Sequence, residues 1–155
     1  MKIVVVSDSH RRFSYLEKVM FTNSKADLFI HCGDMEVGAK YDYSFVSVRG
    51  NNDYRHDLPE ERIITFDGIK LLITHSHQYH YSNRINSLFE KGKKLNCDIV
   101  CFGHTHTPYI ENREGVWLVN PGSLLYNRDG SKIGYVVIET NNGKIKDIER
   151  KPLVI

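Results

Sequence analysis

The sequence predicts an α/β fold in which two β-sheets form a sandwich flanked by helices. Three observations support this prediction. Short apolar runs rich in β-branched residues alternate with helical patterns in the first two-thirds of the chain, and short strands separated by turn residues fill the last third. The 155 residues, 41% of them hydrophobic, suffice for one buried core, so we expect a single domain spanning residues 1–155.

Six strands are expected in the first two-thirds of the chain, and two of them form a hairpin. Apolar runs predict buried strands at residues 2–7, 28–32, 45–49 and 98–102. The runs "ERIITF" and "KLLIT" flank Asp67-Gly68, and this dipeptide is a strong signal for a β-hairpin.

Two helices and four further strands complete the prediction. Residues 13–21 place apolar side chains at helical spacing, and residues 83–95 form a second helix candidate. Asn83 could cap this second helix, and Gly92 weakens its end. The last third reads as short strands separated by turns, namely "YIEN", "VWLVN", "GYVVIET" and "KIKDIER".

Composition and charge exclude several classes of protein. The net charge of +2 is too small to indicate a nucleic-acid binder. No apolar stretch approaches the roughly 20 residues that span a membrane, and no signal peptide is evident. The odd number of cysteines favours reduced thiols and a cytoplasmic location; they are Cys32, Cys97 and Cys101. Assembly into a homo-oligomer is left open by the sequence.

The chain places polar side chains directly after five of its apolar runs. Carboxyl ends of strands in α/β sheets gather loops at one edge, so we expect these five segments to meet. They are Asp8-Ser9-His10, Gly33-Asp34, Gly50-Asn51-Asn52-Asp53, His75-Ser76-His77 and Gly103-His104-Thr105-His106.

The residue types in these segments are those of a metal site. In an extended segment, residues i and i+2 point to the same side, so each Asp-x-His or His-x-His pair should face one cavity. Carboxylate, imidazole and amide oxygen suit Mn²⁺, Fe or Zn²⁺ better than Ca²⁺. A single histidine is more commonly structural, but the combination supplies more ligands than one ion requires. Two ions sharing a carboxylate is the simplest interpretation.

Together these motifs, and the "NPGS" of residues 120–123, resemble the calcineurin-like metallophosphoesterases, in particular their small, capless phosphodiesterase branch. The resemblance implies the metallophosphoesterase fold and two divalent metal ions, with Mn²⁺ as the first choice and Ni²⁺, Fe or Zn²⁺ as alternatives. It also implies a set of ligands for each ion. Asp8, His10 and His106 would hold the first ion, and Asn51, His75 and His104 the second. Asp34 would bridge both ions.

The same resemblance implies an enzyme that hydrolyses phosphodiester bonds in a small phosphoester substrate. The nucleophile would be a hydroxide bridging the two metal ions. A phosphomonoesterase or nuclease of the same fold is the alternative, although a nuclease would normally carry a stronger basic stripe. A non-catalytic scaffold is a further alternative, because a retromer subunit shares this fold. The full set of seven ligand residues argues against it.

Two positions depart from the family pattern. Asn52 stands where a histidine often protonates the leaving group or binds phosphate, and asparagine cannot act as an acid. Arg11 stands where small relatives usually have glycine. Asp34, Asn52 and His77 are the candidate catalytic residues, and Arg11, Asn52 and His77 are the candidate substrate contacts.

Other polar residues near the motifs have simpler interpretations. Asp53 is a candidate for orienting a neighbouring group. His31 is expected to be a hydrogen-bonded core residue, and His56 and His80 to lie on the surface. Cys32, Cys101 and Trp117 are expected in the core. Arg12 and Arg55, like Arg11, are either solvated surface charges or phosphate contacts.

Overall fold

A computed structural model describes all 155 residues. The chain forms ten strands and two α-helices, and every strand and helix predicted from the sequence is present. The helices are α1, Phe13–Thr22, and α2, Arg84–Lys94. The strands are β1 Lys2–Val6, β2 Leu28–His31, β3 Val46–Ser47, β4 Glu61–Phe66, β5 Ile69–Thr74, β6 Ile99–Cys101, β7 Tyr109–Arg113, β8 Val116–Asn120, β9 Gly134–Asn141 and β10 Lys144–Pro152.

The strands form two five-stranded sheets. The first has the order β10-β9-β1-β2-β3, and the second has the order β4-β5-β6-β8-β7. Strands β1, β2 and β3 run parallel in the first sheet, and β5, β6 and β8 run parallel in the second. The remaining pairs are antiparallel and include the predicted hairpin β4–β5. The loops that leave the parallel strands therefore gather at the carboxyl edge of each sheet.

The core lies between the two sheets, which confirms the predicted sandwich. Inward side chains from both sheets form one cluster of buried residues, including Ile3, Ile30, Leu71 and Ile99. Trp117 is half-buried and packs against this cluster. Burial of this cluster removes apolar surface from water, and each Å² of buried apolar surface stabilises the fold by about 25 cal/mol. This burial holds the two layers together.

Each helix covers the outer face of one sheet. Leu16 and Val19 of α1 pack with outward residues of β1 and β9, and Leu88 and Phe89 of α2 pack with outward residues of the second sheet. Gly92 lies inside α2, where a Cβ would lie only 2.7 Å from Cγ2 of Val100. This glycine therefore allows close packing of the helix on the sheet.

The predicted side-chain cap of α2 is wrong. Asn83 occupies the N-cap position, but its side chain makes no capping hydrogen bond. Its backbone has φ −121° and ψ 9°, whereas capping side chains normally extend from β-region backbone.

A contact between turns joins the two sheets at the end opposite the carboxyl edges. The hydroxyl of Thr140, near the end of β9, donates to Asp67 Oδ2 at 2.7 Å. The backbone N–H of Gly143 donates to the carbonyl of Asp67 at 2.8 Å. Asp67 belongs to the β4–β5 turn, so these two bonds connect the hairpin of one sheet to that of the other. Neither helix is long and apolar enough to cross a membrane.

Candidate metal centre

The five loops bring the seven predicted ligand residues to one place. The loops after β1, β2 and β3 of the first sheet carry Asp8, His10, Asp34 and Asn51. The loops after β5 and β6 of the second sheet carry His75, His104 and His106. The site therefore lies where the carboxyl edges of the two sheets meet, as the strand-end pattern predicted.

Asp8 lies at the centre of the first group of donors. Its Oδ1 is 3.4 Å from Nε2 of His106 and 3.8 Å from Nε2 of His10. The same oxygen is 3.7 Å from Nε2 of His75. It is buried and accepts no hydrogen bond. A buried carboxylate oxygen without a donor is costly unless a cation satisfies it.

The other carboxylate oxygen of Asp8 holds the side chain in this orientation. Oδ2 accepts hydrogen bonds from the hydroxyl of Ser7 at 2.6 Å and from the backbone N–H of His104 at 3.0 Å. Gly103 makes this approach feasible, because a Cβ at that position would lie 2.7 Å from Oδ2.

The second group of donors surrounds the amide oxygen of Asn51. This Oδ1 lies 3.0 Å from Nε2 of His75 and 3.1 Å from Nδ1 of His104. Those two imidazole nitrogens are 3.3 Å apart. Burial, followed by the charge of His75, lowers the pKa of His104 to about 4, so His104 is neutral and able to act as a ligand.

Asp34 adjoins the second group. Its Oδ2 lies 3.3 Å from Nε2 of His75 and accepts a hydrogen bond from Nδ2 of Asn52 at 2.9 Å. Burial alone would raise the pKa of Asp34, but His75 and the amide donors of Asn52 outweigh it and lower that pKa. Ligand atoms that lie within 4.8 Å of one another form two sets, Asp8 with His10 and His106, and Asp8 with Asp34 and His75. Asp8 is therefore the carboxylate common to both sets. That Asp34 bridges two ions stays a prediction.

Hydrogen bonds on the far side of three imidazoles fix which nitrogen faces the site. Nδ1 of His75 lies 2.7 Å from the carbonyl of Cys32, and Nδ1 of His106 lies 3.1 Å from the carbonyl of Tyr126. Carbonyl oxygens only accept, so each Nδ1 carries a proton, and in the neutral form of each ring Nε2 has the lone pair that a metal ion would bind. Nδ1 of His10 contacts the carboxylate of Glu36 in the same way. Metal-binding histidines are typically oriented by such partners.

The donor atoms fit divalent cations. Nε2 of His10 and Nε2 of His106 face each other at 3.1 Å, although both present lone pairs. Donors bound about 2.0–2.2 Å from one ion lie about 3–3.5 Å apart, close to the separations observed here. Imidazole, carboxylate and amide donors together favour transition metals over Ca²⁺.

The backbone of this site is not extended, which corrects the argument made from the sequence. Five of the proposed ligands adopt positive φ, between 44° and 72°: Asp8, His10, Asp34, His104 and His106. Non-glycine residues rarely adopt this conformation, and it is typical of functional sites. The paired ligands therefore meet through tight turns, and the i, i+2 alternation of a strand does not apply.

His77 shows the consequence of this backbone. Ser76 has φ 81°, which breaks the alternation between His75 and His77. The His77 ring lies 5.5 Å from that of His75 and 6.2 Å from that of His104, centroid to centroid. Neither His75 nor His77 is among the residues that line the main cavity, and a contact of His77 with substrate stays a prediction. Burial, then the charge of His75, lowers the pKa of His77.

Asp53 fastens two of the ligand loops to each other. Its carboxylate accepts hydrogen bonds from the backbone N–H groups of Asp34 at 2.9 Å, Glu36 at 2.7 Å and Gly50 at 2.7 Å. Asp53 therefore orients its neighbours, as the sequence suggested. A Cβ on Gly50 would lie 2.8 Å from Cγ of Asp34, so this loop also needs glycine for close approach.

His31 is the buried, hydrogen-bonded residue that the sequence predicted. Its Nδ1 accepts the N–H of Gly33 at 3.1 Å, and its Nε2 lies 2.9 Å from the hydroxyl of Ser9. Burial lowers its pKa to about 4, which keeps the ring neutral. His56 and His80 are exposed, as expected.

A cavity of about 470 Å³ opens beside the two donor groups. Arg11 and Asn52, two of the candidate substrate contacts, line it, and Arg11 lies 3.4 Å from Glu36. Arg12 does not line the cavity. Arg55 does not line it either, and pairs with Asp42 and Asp57, which supports its surface interpretation.

Sequence reasoning missed one whole wall of this cavity. Residues 125–128, in the loop between β8 and β9, supply Leu125, Tyr126 and Arg128. Glu36, on another side, was also missed, because no motif marks it. The signal for the missed wall was the "NPGS" segment that precedes it, which was read as a family marker without a structural role.

Comparison with known proteins agrees with this geometry. The Calcineurin-like phosphoesterase superfamily domain matches residues 1–143, so this chain belongs to that family of metallophosphoesterases. A probable metallophosphoesterase of Bacillus subtilis is 29% identical over 145 residues, covering 92% of this chain and 86% of that protein. A phosphodiesterase of Methanocaldococcus jannaschii is 29% identical over 145 residues, covering 79% and 83%.

Solved structures show the same fold. A conserved protein of Streptococcus pneumoniae, described as a predicted phosphoesterase, superimposes with a TM-score of 0.87 at 25% identity, covering 96% of this chain and 87% of that one. Wild-type Vps29 of Entamoeba histolytica complexed with Zn²⁺ superimposes with a TM-score of 0.75 at 22% identity, covering 99% and 100%. The Vps29 likeness concerns the fold alone.

Proposed function

We propose that this protein is a phosphodiesterase that uses two divalent metal ions. The observation that carries the proposal is the unpartnered Oδ1 of Asp8, which three imidazole nitrogens approach within 3.8 Å. The first ion is held by Asp8, His10 and His106, and the second by Asn51, His75 and His104. Asp34 completes both. A scaffold would not need this buried carboxylate oxygen without a hydrogen-bond donor.

The chemistry of such a centre requires little else from the protein. When bound, two divalent ions lower the pKa of a water molecule and neutralise charge on phosphoryl oxygens. Asp34 and Asn52 keep their mutual hydrogen bond on the cavity wall and so fix the position of the carboxylate. Arg11 offers a guanidinium to a phosphoryl oxygen at the cavity edge. Asp53 and Asp8 hold the loops rigid, which reduces reorganisation during reaction.

Two observations support diester over monoester hydrolysis. The cavity of about 470 Å³ beside the donor groups is lined by residues of several loops, which leaves room for two ester groups on one phosphorus atom. A relative at 29% identity is itself named a phosphodiesterase. We further propose Mn²⁺ as the first cation to test, with Ni²⁺, Fe and Zn²⁺ as alternatives. A cytoplasmic location is supported by three buried, unpaired cysteines.

Metal content and hydrolysis test this function together. The purified protein is loaded with each cation, freed of excess, and measured by elemental analysis and with bis(4-nitrophenyl) phosphate. We expect about two ions per chain and metal-dependent release of nitrophenolate. Absence of bound metal together with absence of hydrolysis would overturn the proposal.

A pair of variants tests the role given to Asp34. Asp34→Asn should lower kcat/KM by more than about 100-fold, because it removes a charged ligand. His77→Ala should lower it by less than about tenfold, because His77 is not one of the seven proposed ligands. Equal losses, with both variants folded, would show that Asp34 is misassigned.

A further inference from the structure

The cavity wall formed by residues 125–128 has a chemistry unlike that of the other walls. Eleven residues line the cavity, and only two are hydrophobic, Leu125 and Tyr126. Both belong to this wall, so apolar surface is confined to the side next to His106. The Tyr126 ring lies 4.7 Å from the His106 ring, centroid to centroid, and is half-exposed. A planar ring of a bound molecule can therefore stack there without displacing protein groups.

Arg128 gives this wall an available positive charge. It is exposed, lines the cavity, and has no carboxylate partner in the structure. Arg11, which also lines the cavity, is instead paired with Glu36 at 3.4 Å. Because Arg128 is two residues beyond Tyr126, an anionic group attached to a ring on Tyr126 lies within reach of its guanidinium.

The wall is preorganised by hydrogen bonds. The hydroxyl of Ser123 donates to the carbonyl of Asp8 at 2.8 Å and accepts the backbone N–H groups of Leu125 at 2.8 Å and Tyr126 at 3.2 Å. The N–H of Arg128 donates to the carbonyl of His106 at 2.8 Å.

The side chain of Asn127 also holds this segment in place. The side-chain oxygen of Asn127 accepts the N–H of Ser123 at 2.8 Å, and its amide donates to the carbonyl of Lys132 at 3.0 Å. Asn127 is buried, so these bonds are protected from water. A rigid wall loses little entropy when a ligand binds.

We propose that Tyr126 and Arg128 form a subsite for the ester group that stays on phosphorus, and that this group is nucleotide-like: a planar base whose sugar carries a second phosphate. This inference rests on the proposed phosphodiesterase function. The retained group is assigned to residues 125–128 because they supply both hydrophobic lining residues, and the leaving group to the polar side of the cavity that includes Asn52. The ring stacks on Tyr126, and the second phosphate pairs with Arg128.

Three substrates with the same leaving group isolate this subsite. They are methyl 4-nitrophenyl phosphate, thymidine 5′-(4-nitrophenyl phosphate), and the latter carrying a 3′-phosphate. Nitrophenolate leaves in every case, so differences in kcat/KM report on the retained group. We expect each added element, the nucleoside and then the phosphate, to raise kcat/KM by about tenfold.

Variants assign each gain to a residue. Arg128→Ala should abolish the gain from the 3′-phosphate and keep that from the nucleoside. Tyr126→Ala should abolish the gain from the nucleoside, whereas Tyr126→Phe keeps the ring and should keep the gain. Lys25→Ala removes an exposed charge outside the cavity and should change none of the three values. Bound metal, measured in each variant, confirms that the centre is intact.

The failure of this inference is distinct from failure of the proposed function. Hydrolysis of all three esters at equal kcat/KM overturns the subsite and leaves the phosphodiesterase standing. A phosphate preference that survives Arg128→Ala but not Arg11→Ala overturns the assignment to Arg128. Hydrolysis of none of them, with any of the four cations, overturns both.

Discussion

His31 and Ser9 are joined by a buried hydrogen bond of 2.9 Å between Nε2 of the ring and the serine hydroxyl. Nδ1 of His31 accepts the N–H of Gly33, so Nε2 carries the proton and donates to Ser9. Ser9 stands between Asp8 and His10, and Gly33 precedes Asp34. One neutral imidazole thus links two of the ligand loops.

Replacing His31 by leucine should destabilise the protein. The substitution leaves the Ser9 hydroxyl and the Gly33 N–H buried without partners, which should lower the free energy of unfolding by about 2–4 kcal/mol. Denaturant unfolding of the metal-free protein measures this loss. His80→Leu, on the exposed surface, is the control, with an expected change within about 0.5 kcal/mol. Similar losses in both variants would contradict the linking role.

Asn52 should limit the range of leaving groups. A positioned acid contributes about 10²–10⁴-fold to expulsion of a poor leaving group, and asparagine cannot supply this proton. We therefore expect Asn52→His to raise kcat/KM for methyl phenyl phosphate at least about tenfold more than for methyl 4-nitrophenyl phosphate. Equal kcat/KM for both esters in the unmodified enzyme would mean that another group donates the proton. His77 would then be the first to replace.

Gly50 should tolerate no side chain. A Cβ there would lie 2.8 Å from Cγ of Asp34 and would displace the carboxylate from the metal centre. We expect Gly50→Ala to lose bound metal and to lower kcat/KM by about 100-fold, a typical result of misplacing a catalytic group by about 1 Å.

Gly38→Ala is the matched control for Gly50→Ala. Its Cβ would meet nothing within 4 Å, and its φ is −73°. Elemental analysis and hydrolysis of bis(4-nitrophenyl) phosphate compare the two alanine variants. Full metal content in Gly50→Ala would show that the loop adjusts without moving Asp34.

Glu61, which pairs with Thr74 across strands β4 and β5, should make stability depend on pH. Burial raises its pKa, but hydrogen bonds from Lys91 and Tyr79 outweigh burial and hold the pKa below the ordinary 4.5. The unfolded chain therefore binds a proton more readily, so the stabilisation is complete above about pH 4.5 and is lost as pH falls through the lowered pKa.

Comparison with Glu61→Gln measures this contribution. The difference in unfolding free energy between the two proteins should be constant near neutral pH and should shrink below about pH 4.5. Glu139→Gln, at an exposed position, should show a small and constant difference. A Glu61→Gln difference that grows as pH falls would reverse the sign and contradict the assignment.

The sequence was sufficient to predict the sheets and the convergence of the ligand loops, because both depend on simple patterns. Apolar runs mark strands, and polar residues at strand ends gather at one sheet edge. It was insufficient for side-chain direction within those loops. Positive φ at Ser76 breaks the strand alternation between His75 and His77, and no local pattern indicates it. Tyr126 and Arg128 are brought to the cavity by tertiary hydrogen bonds of Ser123, of Asn127 and of the Arg128 N–H, which sequence spacing cannot indicate.

The proposed ions would also act as cross-links between the two layers. Each takes ligands from both sheets: the first joins Asp8 to His106, and the second joins Asn51 to His75. At the other end, Asp67 makes the corresponding connection through Thr140 and Gly143. The two layers would thus be cross-linked at both ends, by ions that a chelator removes at one end and by the hydrogen bonds of Asp67 at the other. Without the ions, the bond from the His104 N–H to Asp8 Oδ2 would still join the layers at the reactive end.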